Sequence, residues 1–575
     1  MLKKLMPSLK GYGKYALLTP AMVIIEVILE IFIPLIMANI IDIGVKNGDI
    51  GYVARAGAAM VLMAFFALIF GVLSGRFAAV ASMGFAKGIR NKLFDKIQEF
   101  SFANIDRFST ASLITRLTTD VNSVQMAFMM IIRMLVRAPI MLISATIMTI
   151  IINARLAVVF LVAIAVLSAA LYFIATMAYP RFRAMLVRYD SMNASVQENL
   201  IAIRVVKAFV REDHENEKFR EAADAVRKAQ LKAEKLVIST MPIMQFVMYC
   251  CMIAISWFGG RMIIDETLLT GEFMSFISYV GQIMMSLMMI SFVFIGIVMS
   301  RASTIRIVEV IDEEIDIKDD SGKDDLKVED GSVVFDNVSF SYSKNEENLT
   351  LSECSFEIKS GETVGIIGGT GSGKTSLVQL IPRLYDVLEG KVLVGGHDVR
   401  NYRLAALRDG VSVVLQKNVL FSGTIRENLR WGNENATDEE IEEACRAAQA
   451  HDFIMSFPKG YDTDLGQGGV NVSGGQKQRL SIARALLKKP KVIILDDSTS
   501  AVDTATDSKI RQALRENLKN TTKIIIAQRI TSVSEADKII VMDDGRINAV
   551  GTHEKLLAAN SIYREVFESQ QKGVV

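Results

Sequence analysis

Long apolar segments alternate with long charged, amphipathic ones over the first 310 residues or so, and there the alternation stops. The apolar cores fall at 15–41, 57–81, 126–152, 156–179, 236–260 and 273–299. Each meets the ~20 residues a helix needs to cross ~30 Å of hydrocarbon. Short turns at 44–51, 153–155 and 265–271 join them in pairs. Between pairs run two stretches, 82–125 and 180–235, which hold few helix breakers and are expected to continue the spans as helices. An acidic run over 311–329 follows, and after it the period changes. Residues 333–342 alternate as a strand, 363–368 form a short apolar strand, and helical patterns follow, which is the reading of an α/β domain. The predicted organisation is a membrane α-helical domain with six transmembrane helices over 1–310, a linker over 311–330, and an α/β domain over 331–575.

Charge orients this arrangement. Lys and Arg crowd the two long stretches (Lys87, Arg90, Lys92, Lys96, Arg107 and Arg116, then Arg181, Arg183, Arg188, Arg204, Lys207 and Arg211). By the positive-inside rule the N-terminus, both stretches and everything after the sixth span are cytoplasmic. The expected location is the cell inner (plasma) membrane, multi-pass and in contact with membrane lipid. The run after Lys3, Lys4, Lys10 and Lys14 is too long for a signal peptide and carries Glu26, Glu30 and Pro34, so it reads as a retained span. A hydrophobic share of 51 % agrees, as does a mean hydropathy of +0.32. The net charge of +1 gives a nucleic-acid partner no support. The 4 cysteines have neither zinc spacing nor a disulfide framework, and Cys250 and Cys251 read as small hydrophobes.

The chemistry lies in the second half. Gly368-Gly369-Thr370-Gly371-Ser372-Gly373-Lys374-Thr375 matches the P-loop pattern G-x-x-x-x-G-K-[ST], placed between the 363–368 strand and an apolar helix from Ser376. Its glycines let backbone N–H groups approach phosphates, Lys374 supplies a charge to them, and the Thr375 hydroxyl suits Mg²⁺. Val492 to Leu495 reads as a buried strand ending in Asp496 and Asp497, with Asp496 able to reach Mg²⁺ through water. The cofactors implied are ATP and Mg²⁺.

With Asn471-Val472-Ser473-Gly474-Gly475-Gln476, these motifs closely resemble the ABC transporter family, and the resemblance covers essentially the whole chain. It implies the type I exporter fold: six transmembrane helices, one nucleotide-binding domain, and dimerisation of two such halves. It also implies ATP sandwiched between the P-loop of one half and the Ser473-to-Gln476 type of loop of the other. By the same resemblance Tyr342 matches the aromatic residue that stacks on adenine. Gln416 matches the glutamine that contacts Mg²⁺ and senses the membrane domain, and Ser500-Ala501-Val502-Asp503 matches the D-loop. Coupling helices are implied near 104–109 and 210–217.

Two positions depart from the family pattern. Asp497 stands where the catalytic glutamate is expected and Gln528 where the switch histidine is expected. Aspartate is one methylene shorter, and a displacement of about 1 Å can cost on the order of 10²-fold in rate. Glutamine hydrogen-bonds but carries no titratable charge. The expectation is one subunit of a heterodimeric exporter with a hydrolysis-impaired site of its own. This chain's Ser473-Gly474-Gly475-Gln476 would complete the competent site of a second half-transporter. The expected substrate is a hydrophobic or amphipathic small molecule, lipid or peptide. A homodimeric exporter and an ATP-gated, non-pumping membrane protein are the alternatives. Gly466-Gln467-Gly468-Gly469 also departs, from Gly-Glu-Arg-Gly.

Glu26 and Glu30 share one helical face of the first span, and unpaired carboxylates facing lipid are costly. They would line a cavity for a cationic or polar substrate, pair with Arg133, Arg137 or a partner's arginine, or lie exposed near the water-filled opening. Met244, Met248, Met252, Met284, Met285, Met288 and Met289 would either line an adaptable, multi-substrate pocket or serve as ordinary lipid-facing or core packing.

Overall fold

The computed structural model describes residues 2–319, 326–497 and 502–572. Contacts divide the chain into two compact units, Met1–Gln98 with Ser109–Glu313, and Glu99–Phe108 with Glu314–Val575.

In the first unit six helical stretches among the described residues are long and apolar enough to cross a membrane: Gly13–Val45, Ile50–Gln98, Thr110–Ile152, Ala154–Ile201, Glu212–Ile264 and Thr270–Asp312. At 1.5 Å per residue all six outrun the ~30 Å hydrocarbon layer, and the charged stretches do extend the spans. The turn between the third and fourth is a single residue. Asn153 leaves the helical region (φ −156°, ψ 104°) and its side chain accepts from the N–H groups of Arg155 and Leu156, both at 3.1 Å. That contact ends one helix and caps the next. In the first span Pro34 lacks the N–H that would continue the helical ladder. Nearby carbonyls are satisfied from the sixth span instead: Tyr279 Oη donates to the Ile31 carbonyl at 2.8 Å and Ser275 Oγ to the Pro34 carbonyl at 2.7 Å.

A core of Val23, Val27, Ile31, Phe160, Phe276 and Tyr279 joins the first, fourth and sixth spans. Met244 and Met284 are buried in it, and Met248, Met252 and Met288 pack on its edge, whereas Met285 is exposed. Five of the seven methionines are therefore packing residues. The second long stretch departs from expectation. Its separate short helix is Ile203–Ala208, and Glu212 already begins the next long helix, Glu212–Ile238, so 210–217 is a junction rather than a helix of its own.

The second unit holds two sheets. The smaller runs in the order Leu351–Ile358, Val333–Phe340, Glu389–Val394, His397–Asp398 and is antiparallel. The larger has six strands, in the order Arg546–Gly551, Lys538–Asp543, Thr363–Gly368, Thr522–Ile526, Val492–Asp496, Val411–Val414. Every pairing in it is parallel except that of the first two strands. A parallel strand is covered on both faces and so reads as a continuous apolar run. In Val492–Asp496 the alternation is visible in the packing: Val492 and Ile494 join one hydrophobic cluster, Ile493 and Leu495 another.

The short helix Phe102–Phe108 belongs to this unit. Ala103 packs on the hydrophobic cluster beneath the sheets, Phe102 meets the Tyr385 ring edge-on at 6.0 Å, and Tyr385 Oη donates to Asp106 at 2.6 Å. The implied first coupling segment thus exists as a helix, two residues earlier than its expected start.

Candidate functional site

Four neighbouring parallel strands deliver the pieces of the nucleotide site at their carboxyl ends, where open α/β sheets place their ligands. Thr363–Gly368 runs into the P-loop, Thr522–Ile526 into Gln528, Val492–Asp496 into Asp497, and Val411–Val414 into Gln416. Strand order alone brings together motifs up to 160 residues apart in the chain (Gly368 to Gln528).

The P-loop turns through Gly371 (φ +84°) and Gly373 (φ +89°), left-handed conformations that favour glycine. At Gly373 a Cβ would also lie 2.7 Å from Leu351 Cδ2, so space as well as backbone demands glycine there. Lys374 Nζ donates to the carbonyls of Gly368 (2.9 Å) and Gly369 (2.6 Å), which holds the ammonium across the loop. Burial pushes its pKa down against the pull of Asp496 and Asp497. Thr375 Oγ1 donates to Asp496 Oδ1 at 3.1 Å. Tyr342 and Ser376 share a hydroxyl contact of 2.8 Å, with Ser376 buried and the Tyr342 ring half exposed beside the loop. Tyr385 and Phe340 brace that ring edge-on, with centroids at 5.1 Å and 4.8 Å.

Asp496 is buried at the strand's last residue, and Asp497 follows with a left-handed φ of +46°. Burial raises both carboxyl pKa values; the Thr375 bond opposes this at Asp496, and the bonds from Gln416 and Gln528 oppose it at Asp497. Gln528 Nε2 donates to Asp497 Oδ2 at 2.8 Å, and Gln416 Nε2 reaches the same oxygen at 3.5 Å. The two departures from the family pattern are thus in direct contact, with the glutamine of the neighbouring strand on the same atom.

This donor set suits Mg²⁺-ATP. Hydroxyl, amide and adjacent carboxylate oxygens are hard ligands, and two neighbouring carboxylates, one buried and one half-buried, are relieved by a divalent cation. Thr375, Gln416 and Asp496 would hold the metal. The backbone of Gly368 to Thr375, with Lys374, would hold the phosphates.

Ser473 lies elsewhere and serves locally. It caps the helix Gly474–Leu487, its Oγ accepting from Gln476 N–H at 3.3 Å while Gln476 Oε1 accepts from Ser473 N–H at 2.8 Å. Gly474 and Gly475 form the first turn of that helix. Before it, Lys477 Nζ donates to the carbonyl of Gly468, at the position where arginine was expected. Asp503 caps Thr504–Asn517 through Thr506 N–H at 2.9 Å, and Ser500 and Ala501 lie outside the described residues. Sequence reasoning missed Gln570. Its side chain donates to the Gln528 carbonyl at 2.7 Å and accepts from Ile530 N–H at 2.9 Å, pinning the switch backbone from the helix Ser561–Lys572. Nothing local to Gln570 signals that role.

In the first unit Arg137 takes both membrane carboxylates. Nη1 pairs with Glu26, and Nη2 with Glu30 at 2.9 and 2.7 Å. The ion-pair alternative is therefore the one observed. Both glutamates also line an open cavity of about 590 Å³. Ser74 Oγ lies 3.4 Å from Glu26, and a Cβ on Gly71 would sit 2.9 Å from the Glu26 carboxylate. Gly71 is what lets Glu26 approach the second span. Removing one partner from a buried ionic group typically costs about 3–5 kcal/mol. Arg137→Ala should therefore lower the melting temperature of the purified protein sharply, and adding Glu26→Gln with Glu30→Gln should recover much of the loss. An unchanged melting temperature in Arg137→Ala would show that the triad contributes no stability.

Residues 17–287 match the model of the ABC transporter transmembrane region, and residues 351–500 match that of the ABC transporter. The chain is 38 % identical over 569 residues to the uncharacterized ABC transporter ATP-binding protein YfiB of Bacillus subtilis, covering 99 % of this chain and 98 % of the relative. It is 33 % identical over 585 residues to the putative multidrug export ATP-binding/permease protein YgaD of the same organism, with 99 % of each covered. With the ATP-dependent lipid A-core flippase of Syntrophus aciditrophicus it shares 34 % over 488 residues, 84 % of this chain and 80 % of that one. Among solved structures, a bacterial Atm1-family ABC exporter with ATP bound aligns at a TM-score of 0.83 and 25 % identity, over 97 % of this chain and 99 % of that chain.

Proposed function

The chain belongs to the ABC transporter family as an exporter-type half-transporter with its membrane domain fused to its ATP-binding domain; from that premise we propose that it is the hydrolysis-impaired subunit of a heterodimeric exporter. The observation that carries the reading is the Asp497 carboxylate, one methylene short and accepting from Gln528 at 2.8 Å. Mg²⁺-ATP, when bound, supplies the reactive phosphoryl group and the charge that offsets its phosphates. Lys374 and the P-loop N–H groups bind and orient it, and Tyr342 offers the adenine an aromatic face. Hydrolysis further needs a base held against a water molecule. Asp497 falls short of glutamate's reach, its Oδ2 is engaged by two amides, and Gln528 has no imidazole to offer the γ-phosphate.

The chain's Ser473-Gly474-Gly475-Gln476 loop keeps its capped geometry and would complete the partner's competent site. Long occupancy at the impaired site would hold the two nucleotide domains together while the competent site turns over. The relatives named for multidrug export and lipid flipping support a hydrophobic or amphipathic substrate. The same reading places the protein in the inner membrane with the ATP-binding domain cytoplasmic, from the Lys and Arg distribution.

Purified alone, the chain should hydrolyse ATP at least about tenfold more slowly than when co-purified with its partner half-transporter. Robust turnover by the single chain would favour the homodimeric alternative. ATP-driven accumulation of substrate in inverted membrane vesicles separates an exporter from an ATP-gated, non-pumping protein.

A further inference from the structure

The chamber beside Glu26 and Glu30 has a charge balance opposite to the one its glutamates suggest. Arg137 already takes both carboxylates. Two further guanidinium groups, Arg76 and Arg133, line the same chamber. Neither has a hydrogen bond or ion pair with any described residue. Three arginines therefore meet two glutamates, and the charge left over is positive. Arg133 lies flat over the second span: a Cβ on Gly75 would stand 3.5 Å from its Nη1, 3.7 Å from Cζ and 3.7 Å from Nη2. Shape, not a polar partner, holds that fork in place. The rest of the wall is apolar, with Ile33, Ala64, Ala67, Leu68 and Val72.

An unpaired arginine at membrane depth is costly unless something satisfies it, and a guanidinium matches phosphate or carboxylate oxygens bidentately. Resting on the exporter reading above, we propose that this chamber takes the anionic head group of an amphipathic ligand, phosphate or carboxylate, on Arg76 and Arg133, with the apolar wall receiving the start of its tail. Glu26 and Glu30 are held by Arg137 behind them, and Arg76 and Arg133 turn the balance of the chamber positive, so that it disfavours a lipophilic cation.

The test is equilibrium binding to the purified full-length transporter in phosphatidylcholine nanodiscs, without nucleotide and with empty nanodiscs as baseline. The probes are dodecyl phosphate, inorganic phosphate and dodecyltrimethylammonium. Dodecyl phosphate should bind saturably. Its affinity should fall about tenfold in Arg76→Gln or Arg133→Gln and about a hundredfold in the double variant, while Arg76→Lys and Arg133→Lys, which keep the charge but lose the bidentate fork, should fall between parent and glutamine variant. Binding to the unaltered protein should also weaken as salt is raised, a readout that survives if the glutamine variants fold poorly. Equal affinity in parent and double variant, tighter binding of the ammonium probe, equally tight binding of inorganic phosphate, or salt-independent binding would each overturn the proposal. Because nucleotide is absent, the result is separable from the exporter reading. Arginine-dependent binding without ATP-driven accumulation in vesicles would sink only the latter.

Discussion

Alanine at the partner's P-loop lysine should reduce ATP turnover by the pair on the order of 10²-fold or more, the loss typical of removing one preorganised electrostatic contact from a competent site. Lys374→Ala should leave much more of that turnover and act mainly on nucleotide retention. The asymmetry follows from which residues complete which site. Lys374 reaches over the P-loop beside Asp496 and Asp497, and Asp497 is tied to Gln528. Little chemistry is expected there, so little is lost. In the proposed heterodimer the competent site would use this chain only through the Ser473 loop, which Lys374→Ala does not touch. Steady-state ATPase rates of the two variants, with off-rates of a fluorescent ATP analogue, decide the matter. Equal loss of turnover in the two would mean that hydrolysis is shared between sites and that the Asp497–Gln528 contact does not impair it.

Much of this was legible because the signals were periodic or spaced. Four apolar residues, Val492 to Leu495, running up to Asp496 announce a strand buried on both faces, and the two hydrophobic clusters it divides between bear that out. The P-loop needs glycine where the backbone turns left-handed, so its pattern survives in the sequence. The six spans were carried by long apolar windows.

What was not legible depends on tertiary partners. The break before Ile203–Ala208 has no Gly or Pro to mark it. Ala202 simply takes φ −90° and ψ 10°, and Val210 accepts a left-handed φ of +51° that a β-branched residue rarely adopts. A separate short helix was therefore expected at 210–217, whereas the one observed is Ile203–Ala208. Spacing on one helix placed Glu26 and Glu30 together, but the choice of Arg137 over Arg133 depends on how three spans pack. Gln570 pins Gln528 across 42 residues, and no local pattern encodes that.

Asp497→Glu combined with Gln528→His should move the impaired site toward hydrolysis without restoring it fully. The added methylene returns the carboxylate's reach, about 1 Å, which is worth up to roughly 10²-fold. The imidazole replaces a neutral amide with a group that can bear charge beside the γ-phosphate. The double change also removes the 2.8 Å amide contact on Asp497 Oδ2, leaving Gln416 at 3.5 Å as the neighbouring amide. Either change alone should do less. A longer carboxylate still held by Gln528 is not free to face water, and an imidazole beside a short one has no activated nucleophile to assist. Gln570 should keep the switch backbone in place, since its bonds go to main-chain atoms that neither substitution alters. In the proposed heterodimer the ceiling would be set from the other side, because the partner's signature loop would close this site. The measurement is ATPase activity in a background where the partner's own catalytic glutamate is glutamine, so that turnover reports this site. Clear turnover in the double variant, absent from its parent and smaller in either single, supports the geometry argued from Asp497. No gain would shift the cause of slow hydrolysis from these two side chains to the partner's loop.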